Sequence, residues 1–240
     1  MRWSLFETIV DELKENRCPA VTLASRGDPT LHKDLGKMLH YLCEAGIMDV
    51  KLNTNAMILS EDLCHDILSA NVNEVVFSVD AATKDLYERI RVKGKFETVL
   101  SNIARFHELR EKHYRQSPTV TRISGVKINS EQDLEKISSF WSERVDQLAF
   151  KDASPRWDSY NNDLTFNQNP CTVLWERMYV WFDGKVNPCD FDYKSRLTVG
   201  DATQNSLKEI WTNEKYTALR HDHLKKKRAS HNPCDRCPFP

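Results

Sequence analysis

The 240 residues carry 34 Lys and Arg against 35 Asp and Glu, a formal net charge of -1, so the charge balance gives no attraction to nucleic acid or to an acidic membrane. The length suits one large domain or two small ones, and no run of about 18 apolar residues could cross a bilayer. Seven cysteines and a charged N-terminus without a signal-peptide core indicate a reducing, cytoplasmic setting in which some thiols serve as ligands.

Helical and strand patterns alternate through the first two thirds of the chain. Ser4 and Glu7 form a capping box that predicts an opening helix, and Pro19 prevents this helix from continuing. Helices are then expected to end at residue 45 with Gly46 as cap, to start after Ser60, to cover 83–90 and 96–112, and to run from Ser130 through Trp141. Short apolar runs between them predict five strands, at residues 20–24, 50–55, 74–80, 120–128 and 147–151.

Polar residues gather where the predicted strands end. Strands that alternate with helices form a parallel sheet or barrel, and in such folds ligands bind at the carboxyl ends of the strands. The candidates are Gly27, Asp28 and Pro29 in the turn at residues 25–29, with Asn53, Asn55, Ser78, Asp80, Arg122 and Lys151. For any one of them the plain alternative is that a surface loop begins there, so the set as a whole carries the prediction of a ligand site.

The pattern changes near residue 154, where Asn, Pro, Trp and Ser replace the helical period. This change predicts a domain boundary between residues 1–153 and 154–240. In the second part, residues 179–187 contain an Asp-Gly turn between apolar runs, which predicts a β-hairpin that delivers Cys189 on its return strand.

A helix and a basic run complete the second part. Ser206 and Glu209 form a capping box that opens a helix extending to Tyr216. The basic residues 225–228 are typical of a solvated helix end, with anion binding as the alternative.

Four cysteines of this second part, Cys171, Cys189, Cys234 and Cys237, have the count and spacing of a four-thiolate metal site. Two sulfur atoms three positions apart can face one ion or cluster from a single turn. A C-x-x-C pair without a secretory signal more often indicates metal or redox chemistry than a disulfide. A redox dithiol and incidental cysteines are the alternatives, and zinc satisfies the ligand count as well as an iron–sulfur cluster does.

These motifs together resemble one enzyme family. Gly27–Pro29, Leu52–Ala56, Phe77–Ala81 and Tyr87–Arg91 look like the middle of a radical S-adenosylmethionine (SAM) barrel. The segments Asp183–Cys189 and Ser206–Trp211, with the final C-x-x-C, look like the SPASM or shorter twitch domain, which binds an auxiliary 4Fe-4S cluster in that family.

The resemblance implies an α/β fold: a partial (β/α)6 TIM-like barrel missing its first strand, followed by a small cysteine-rich SPASM/twitch domain with a β-hairpin and a helix. SAM would lie across the strand ends. Asp28, between Gly27 and Pro29 in the position of the family's Gly-Glu-Pro turn, would place acceptors near the methionyl amine.

The same resemblance gives roles to the other rim residues. Ser78 and Asp80 would hydrogen-bond the methionyl carboxylate or the ribose, and Asn53 and Asn55 would line the same rim. Arg122 would pair with the carboxylate as a fork.

One departure from the family concerns its catalytic cluster, which a C-x-x-x-C-x-x-C loop after the first strand holds. These residues contain no such spacing, since Cys18, Cys43 and Cys64 are isolated. The expectation is that the first strand and its loop lie before Met1, if they exist, and that the chain as written does not cleave SAM.

The resemblance therefore implies an iron–sulfur oxidoreductase or maturase. Such enzymes abstract hydrogen from a small-molecule, peptide or carbohydrate-like substrate, with a flavodoxin- or ferredoxin-type electron donor as partner and the auxiliary cluster as electron acceptor. The first alternative is a non-catalytic iron–sulfur protein, for cluster binding or electron transfer, derived from that family. The second is a structural zinc protein.

Overall fold

The computed structural model describes residues 1–24, 27–154 and 158–239, so Ser25 and Arg26 of the predicted turn lie outside the described residues. The chain divides into two compact units. One unit is Arg17–Ala153, and the other joins Met1–Asn16 to Ser154–Pro240.

The first unit is built on a five-stranded parallel sheet. Its strands are β1 (Ala20–Leu23), β2 (Asp49–Thr54), β3 (Glu74–Ser78), β4 (Val120–Lys127) and β5 (Gln147–Asp152). Each strand pairs in parallel with the next along the chain, in the order β1-β2-β3-β4-β5. The five predicted strands and their parallel arrangement are thus confirmed.

The α-helices, in chain order, are α1 (Trp3–Glu15), α2 (Leu35–Glu44), α3 (Glu61–Ser69), α4 (Lys84–Ile90), α5 (Phe96–His113), α6 (Leu134–Ser142), α7 (Val173–Glu176), α8 (Leu207–Thr212) and α9 (Glu214–Leu224). Helices α2 to α6 lie between successive strands, and the other helices belong to the second unit. Within the described ranges, no helix has the length and apolar character needed to cross a membrane.

The sheet has one apolar and one polar face, because successive side chains of a strand point to opposite sides. Leu52, Phe77 and Ile123 are fully buried on the helix-covered face, where the ring of Phe77 meets that of Phe106 in α5 edge to face. The other face carries polar side chains that remain partly accessible, Ser78 among them. Of the candidate ligand residues, Asn53, Ser78 and Arg122 lie on this face.

The predicted starts of α1 and α6 were wrong, whereas the predicted caps at Ser60 and Gly46 are confirmed. Helix α1 begins at Trp3, so Ser4 lies inside its first turn and caps nothing. Helix α6 is capped by Asp133 rather than Ser130, because the Asp133 carboxylate accepts the N–H of Lys136 at 3.2 Å. The hydroxyl of Ser60 caps α3 and Gly46 ends α2 with a φ of +81°, as predicted.

The second unit contains a small antiparallel sheet of β6 (Tyr179–Val180), β7 (Lys185–Asn187) and β8 (Gly200–Asp201). The predicted hairpin is confirmed by the pairing of β6 with β7. Gly184 turns it with a φ of +97°, and a Cβ atom there would lie 2.6 Å from Thr203. Strand β8 was not predicted, because two residues show no alternation.

Helix α1 supplies part of the core of the second unit. Leu5 and Ile9 are buried with Leu174, Val186 and Ile210 in one apolar cluster. The Glu12 carboxylate of α1 also accepts the backbone N–H of Leu207, the first residue of α8. The chain's first helix therefore packs with its last residues, and the division into two functional domains at residue 154 stays a prediction.

The helix predicted to open at Ser206 is two helices. Its capping box is confirmed, since Ser206 Oγ accepts the Glu209 N–H at 3.2 Å and the Glu209 carboxylate accepts the Ser206 N–H at 2.9 Å. Asn213 then takes an extended conformation, and its side chain caps α9 by accepting the N–H of Tyr216 at 2.9 Å. Tyr216 thus belongs to the second helix.

Candidate functional site

Asp28 ties its turn to the carboxyl end of β2. Its carboxylate accepts the backbone N–H and the hydroxyl of Thr30, at 3.0 and 2.7 Å. It also accepts the Thr54 hydroxyl at 2.9 Å and the Asn55 N–H at 2.7 Å. Four donors therefore share this carboxylate, which fixes the Gly-Asp-Pro turn beside the end of the strand.

Open space and a hydrogen-bond acceptor without a partner among the described residues are found near this turn. Gly27 is exposed, and a Cβ atom built on it would meet no other atom within 4 Å, so there is room for a ligand to approach its backbone. Pro29 opens the short 3₁₀ turn that follows. The Oδ1 atom of Asn53 is buried and has no hydrogen-bond partner among the described residues, whereas Asn55 Oδ1 accepts the N–H of Met57 at 2.8 Å.

Asp80 follows β3 and is 4% exposed. One carboxylate oxygen accepts the Val126 N–H at 2.8 Å, and the other pairs with the Arg91 guanidinium at 2.6 Å. Gln132 donates to the Asp80 carbonyl at 2.9 Å. Asp80 therefore joins three segments at the carboxyl ends of β3 and β4, immediately beyond Ser78.

Arg122 lies nearer to the amino ends of the strands than the sequence predicted, on the same face of the sheet as Ser78. It is the third residue of β4 and pairs with Val76, near the amino end of the strand, because β4 extends to Lys127. A terminal nitrogen of Arg122 binds the Glu74 carboxylate at 2.7 Å, and Lys51 binds the same carboxylate at 2.5 Å. The Nε atom of Arg122 is buried without a partner among the described residues.

Lys151 lies on β5 opposite Val126 and is exposed. It is therefore at the carboxyl end of the sheet, level with the segment that Asp80 holds. The rim residues predicted from the sequence are thus gathered at one end of the sheet, except for Arg122.

The four predicted ligand cysteines are brought together in the second unit. Burial raises the pKa of Cys234, and the charges of Cys189, Cys237 and Cys171 raise it further. Burial likewise raises the pKa of Cys189 to about 12, with contributions from Asp190, Cys237 and Cys171. The charges of the other three cysteines all act on Cys234, which places the four thiols in one neighbourhood of the second unit.

The four thiols do not form a binding site for a single metal ion. Among the described residues, no group of three or more His, Cys, Asp or Glu side chains converges to hold a single metal ion. Cys171 and Cys237 are buried, and the backbone N–H of Phe191 donates to Cys189 Sγ at 3.3 Å, a contact that favours a thiolate. Cys18, Cys43 and Cys64 belong to the other unit.

Turns and short contacts hold the cysteine segments. Cys234 begins a 3₁₀ turn that ends before Cys237, so both thiols of the C-x-x-C pair come from one turn. The loop after Cys189 is organised by Asp192, whose carboxylate accepts the N–H groups of Arg196 and Leu197 at 2.9 and 2.8 Å.

His223 is a buried group that the sequence did not indicate. Its Nδ1 accepts the backbone N–H of Cys171 at 3.2 Å, so the proton of the neutral ring lies on Nε2. Burial, helped by Arg228 and His231, lowers the pKa of His223 to about 4. The Nε2 atom has no partner among the described residues, and an orphaned buried donor beside a ligand cysteine fits a sulfur-rich group held there.

The basic run also differs from the prediction at its last residue. Lys225, Lys226 and Lys227 are exposed, as expected of a solvated helix end. Arg228 is 1% exposed and packs inside the unit. A charge run gives no sign of which member turns inward, so only the structure identifies Arg228.

Solved structures share this fold at low sequence identity. SuiB of Streptococcus suis, bound to the precursor peptide SuiA, superposes with a TM-score of 0.74 and 15% identity over 98% of this chain and 68% of SuiB. BtrN in complex with AdoMet and 2-DOIA gives 0.65 and 16%, over 99% of this chain and 80% of BtrN.

Two curated relatives are similar in sequence. A probable GTP 3',8-cyclase of Methanocaldococcus jannaschii is 33% identical over 79 residues, which are 33% of this chain and 26% of the cyclase. An uncharacterised protein of Treponema pallidum is 24% identical over 216 residues, covering 84% of this chain and 60% of that protein. The chain thus spans about a quarter of the first relative and 60% of the second.

Family models cover most of the chain. Residues 171–238, which include all four clustered cysteines, match SPASM, an iron–sulfur cluster-binding domain. Residues 1–140, more than half of the chain, match the radical SAM superfamily. The chain therefore belongs to the radical SAM superfamily, whose members use S-adenosylmethionine, and it carries a C-terminal SPASM iron–sulfur domain.

Proposed function

We propose that this chain is the substrate-oxidising part of a radical SAM/SPASM oxidoreductase or maturase. The observation that carries the proposal is the assembly of four thiols in the SPASM unit beside the buried, unpartnered donor of His223. When bound, SAM and the iron–sulfur clusters of such enzymes supply the hydrogen-abstracting radical and the acceptor for the substrate's electron.

Cys171, Cys189, Cys234 and Cys237 hold one 4Fe-4S cluster in this proposal. Burial keeps the free thiols protonated, since it raises the pKa of Cys171, Cys189 and Cys234. Loading the cluster therefore releases protons, and the Phe191 N–H and the neutral His223 Nε2–H are donors placed to stabilise the thiolates.

The open face of the sheet binds SAM in this proposal. Gly27 leaves room for the ligand, and Asn53 Oδ1 offers an acceptor without a partner in the described part of the chain. Pro29, Asn55 and Ser78 line the same end of the sheet.

Asp28, Asp80 and Arg122 have modified roles in the proposal. Asp28 and Asp80 hold the rim segments in place through their hydrogen bonds to the chain. Arg122 is paired with Glu74, and its buried Nε–H is the donor it keeps without a partner in the described part of the chain. We expect the methionyl groups to be bound mainly by backbone atoms that these side chains fix.

The substrate class we propose is a peptide or a carbohydrate-like small molecule. SuiB, which shares the fold, was crystallised with a precursor peptide, and BtrN with AdoMet and 2-DOIA. A flavodoxin- or ferredoxin-type protein would supply the reducing electron.

The second candidate, a non-catalytic iron–sulfur protein for cluster binding or electron transfer, is favoured by one observation. These 240 residues contain no C-x-x-x-C-x-x-C spacing with which to hold a catalytic cluster. SAM binding by residues 1–240 should accordingly be weak, and reductive cleavage of SAM should be absent.

Anaerobic incubation with SAM and dithionite, followed by chromatography for 5′-deoxyadenosine, tests both candidates. We expect no product from residues 1–240, and product after a strand and a three-cysteine loop are fused before Met1. The matched control carries the same fusion with the three added cysteines replaced by serine. Stoichiometric product from residues 1–240 would contradict the assignment of the cysteines, and an inactive fusion that retains both clusters would favour the non-catalytic candidate.

A further inference from the structure

Arg228 is a buried cation that forms no ion pair with the residues that the structure describes. It is 1% exposed, although the three lysines before it are exposed. A buried charge is costly unless it is paired, so such a residue needs a compensating partner.

The hydrogen bonds of Arg228 compensate it only in part. One terminal nitrogen donates to the Asn169 carbonyl at 3.3 Å and the other to the Phe239 carbonyl at 2.7 Å. Its Nε–H is buried and has no hydrogen-bond partner among the described residues. The guanidinium thus joins the segments that flank Cys171 and Cys237, and keeps one donor unused.

The contacts of Arg228 place it among the cysteine-bearing segments. Its two carbonyl partners, Asn169 and Phe239, are each two residues from a ligand cysteine, Cys171 and Cys237 respectively. His223, whose Nδ1 accepts the Cys171 N–H at 3.2 Å, is buried in the same unit. A buried positive charge in these surroundings stabilises negative charge on nearby sulfur atoms.

We propose that Arg228 is the buried counter-charge of the iron–sulfur cluster at Cys171, Cys189, Cys234 and Cys237, with its Nε–H donating to a sulfur of the cluster or of a ligand cysteine. The inference rests on the proposed function. Reduction adds one electron, here from dithionite, and makes the site more negative. A fixed positive charge beside it raises the reduction potential, which suits a cluster that must accept an electron.

The test measures the midpoint potential of the reconstituted full chain by dithionite titration followed by electron paramagnetic resonance. Arg228→Gln removes the charge, Arg228→Lys keeps it, and Lys225→Gln removes an exposed charge from the same segment. We expect a more negative potential for Arg228→Gln, a potential near that of the wild type for Arg228→Lys, and no shift for Lys225→Gln. Equal potentials for Arg228→Gln and Lys225→Gln in fully loaded protein would overturn the proposal.

Cluster loading separates this proposal from the one on which it rests. A wild-type chain that takes up no cluster refutes the proposed function, whereas a loaded chain with an unshifted variant refutes only the role of Arg228. If Arg228→Gln does not load, Arg228→Met fills the same space without charge. Cluster uptake by Arg228→Lys but by neither Arg228→Gln nor Arg228→Met supports the role of Arg228 as counter-charge. If none of the three variants takes up a cluster, the guanidinium of Arg228 only holds the chain together through its hydrogen bonds, and the proposal is overturned.

Discussion

At the scale of single residues, the carboxylates at the strand ends form hydrogen bonds and ion pairs within the protein. Asp28 satisfies donors from its own turn and from the end of β2, and Asp80 does so for Val126 and Arg91. A charged acceptor that bonds several donors holds a loop more firmly than neutral contacts do. The rim is therefore organised before any ligand arrives.

Replacing Asp28 with Ala should lower the free energy of unfolding by about 2 kcal/mol, because several charge-assisted hydrogen bonds and one cap are lost. Urea denaturation would measure the change. Asp34→Ala is the matched control, since Asp34 precedes α2 but caps it with no side-chain hydrogen bond. Equal stability of the two variants would show that the Asp28 bonds contribute nothing.

Asp146 should make the stability of the fold depend on pH. Burial of Asp146 opposes ionisation, yet hydrogen bonds from Arg110 and Thr121 hold the pKa of Asp146 below its ordinary value. This lowered pKa stabilises the fold fully above the unfolded value of about 3.9, and the stabilisation is lost as pH falls below that.

Asp146→Asn should therefore destabilise the chain at pH 7, and the difference from wild type should shrink as pH falls from about 5 to 3. Urea midpoints across that range would show it. The exposed Asp49, changed to Asn, is the control and should show no such convergence. A difference that stays constant with pH would contradict the assignment.

At the scale of elements, the parallel strands could be predicted because each has a short apolar run that is bounded by turn residues. Helix starts were less predictable: Ser130 and Asp133 are both good caps, and only the chain's path shows that Asp133 meets the Lys136 N–H. Asn213 reads as an ordinary helical residue, yet its side chain starts a new helix. These choices depend on packing, which a local pattern does not contain.

The cysteine-bearing segments depend on short elements. Strands β6, β7 and β8 have two or three residues each, so little regular structure supports the ligands. Cluster-binding energy should then act as folding energy for this unit.

Loading the cluster should protect the second unit from limited proteolysis, and chelation should expose it before the unit Arg17–Ala153 is cleaved. Mass spectrometry of the fragments from apo and reconstituted protein would locate the cuts. Cys18→Ser, which leaves the second unit unchanged, should be protected like the wild type. Equal cleavage after residue 154 in both forms would count against this expectation.

At the scale of the whole molecule, the family and the cofactors its members use could be predicted, but the hydrogen-bond and ion-pair partners of the candidate residues could not. The four cysteines were selected by their count and spacing, and in the structure the charges of the other three raise the pKa of Cys234. His223 and Arg228 escaped prediction because neither lies in a motif. Arg122 was expected at the rim, but it is the third residue of β4 and forms an ion pair with Glu74 near the amino end of the sheet.

Iron and acid-labile sulfide content after anaerobic reconstitution, with the visible spectrum of the same samples, decides whether the four cysteines hold a cluster. The wild type and Cys18→Ser should bind about four iron and four sulfide per chain, and Cys234→Ser should bind none. Zinc uptake without iron, loss of the cluster from Cys18→Ser, or its retention in Cys234→Ser would contradict a cluster held by Cys171, Cys189, Cys234 and Cys237.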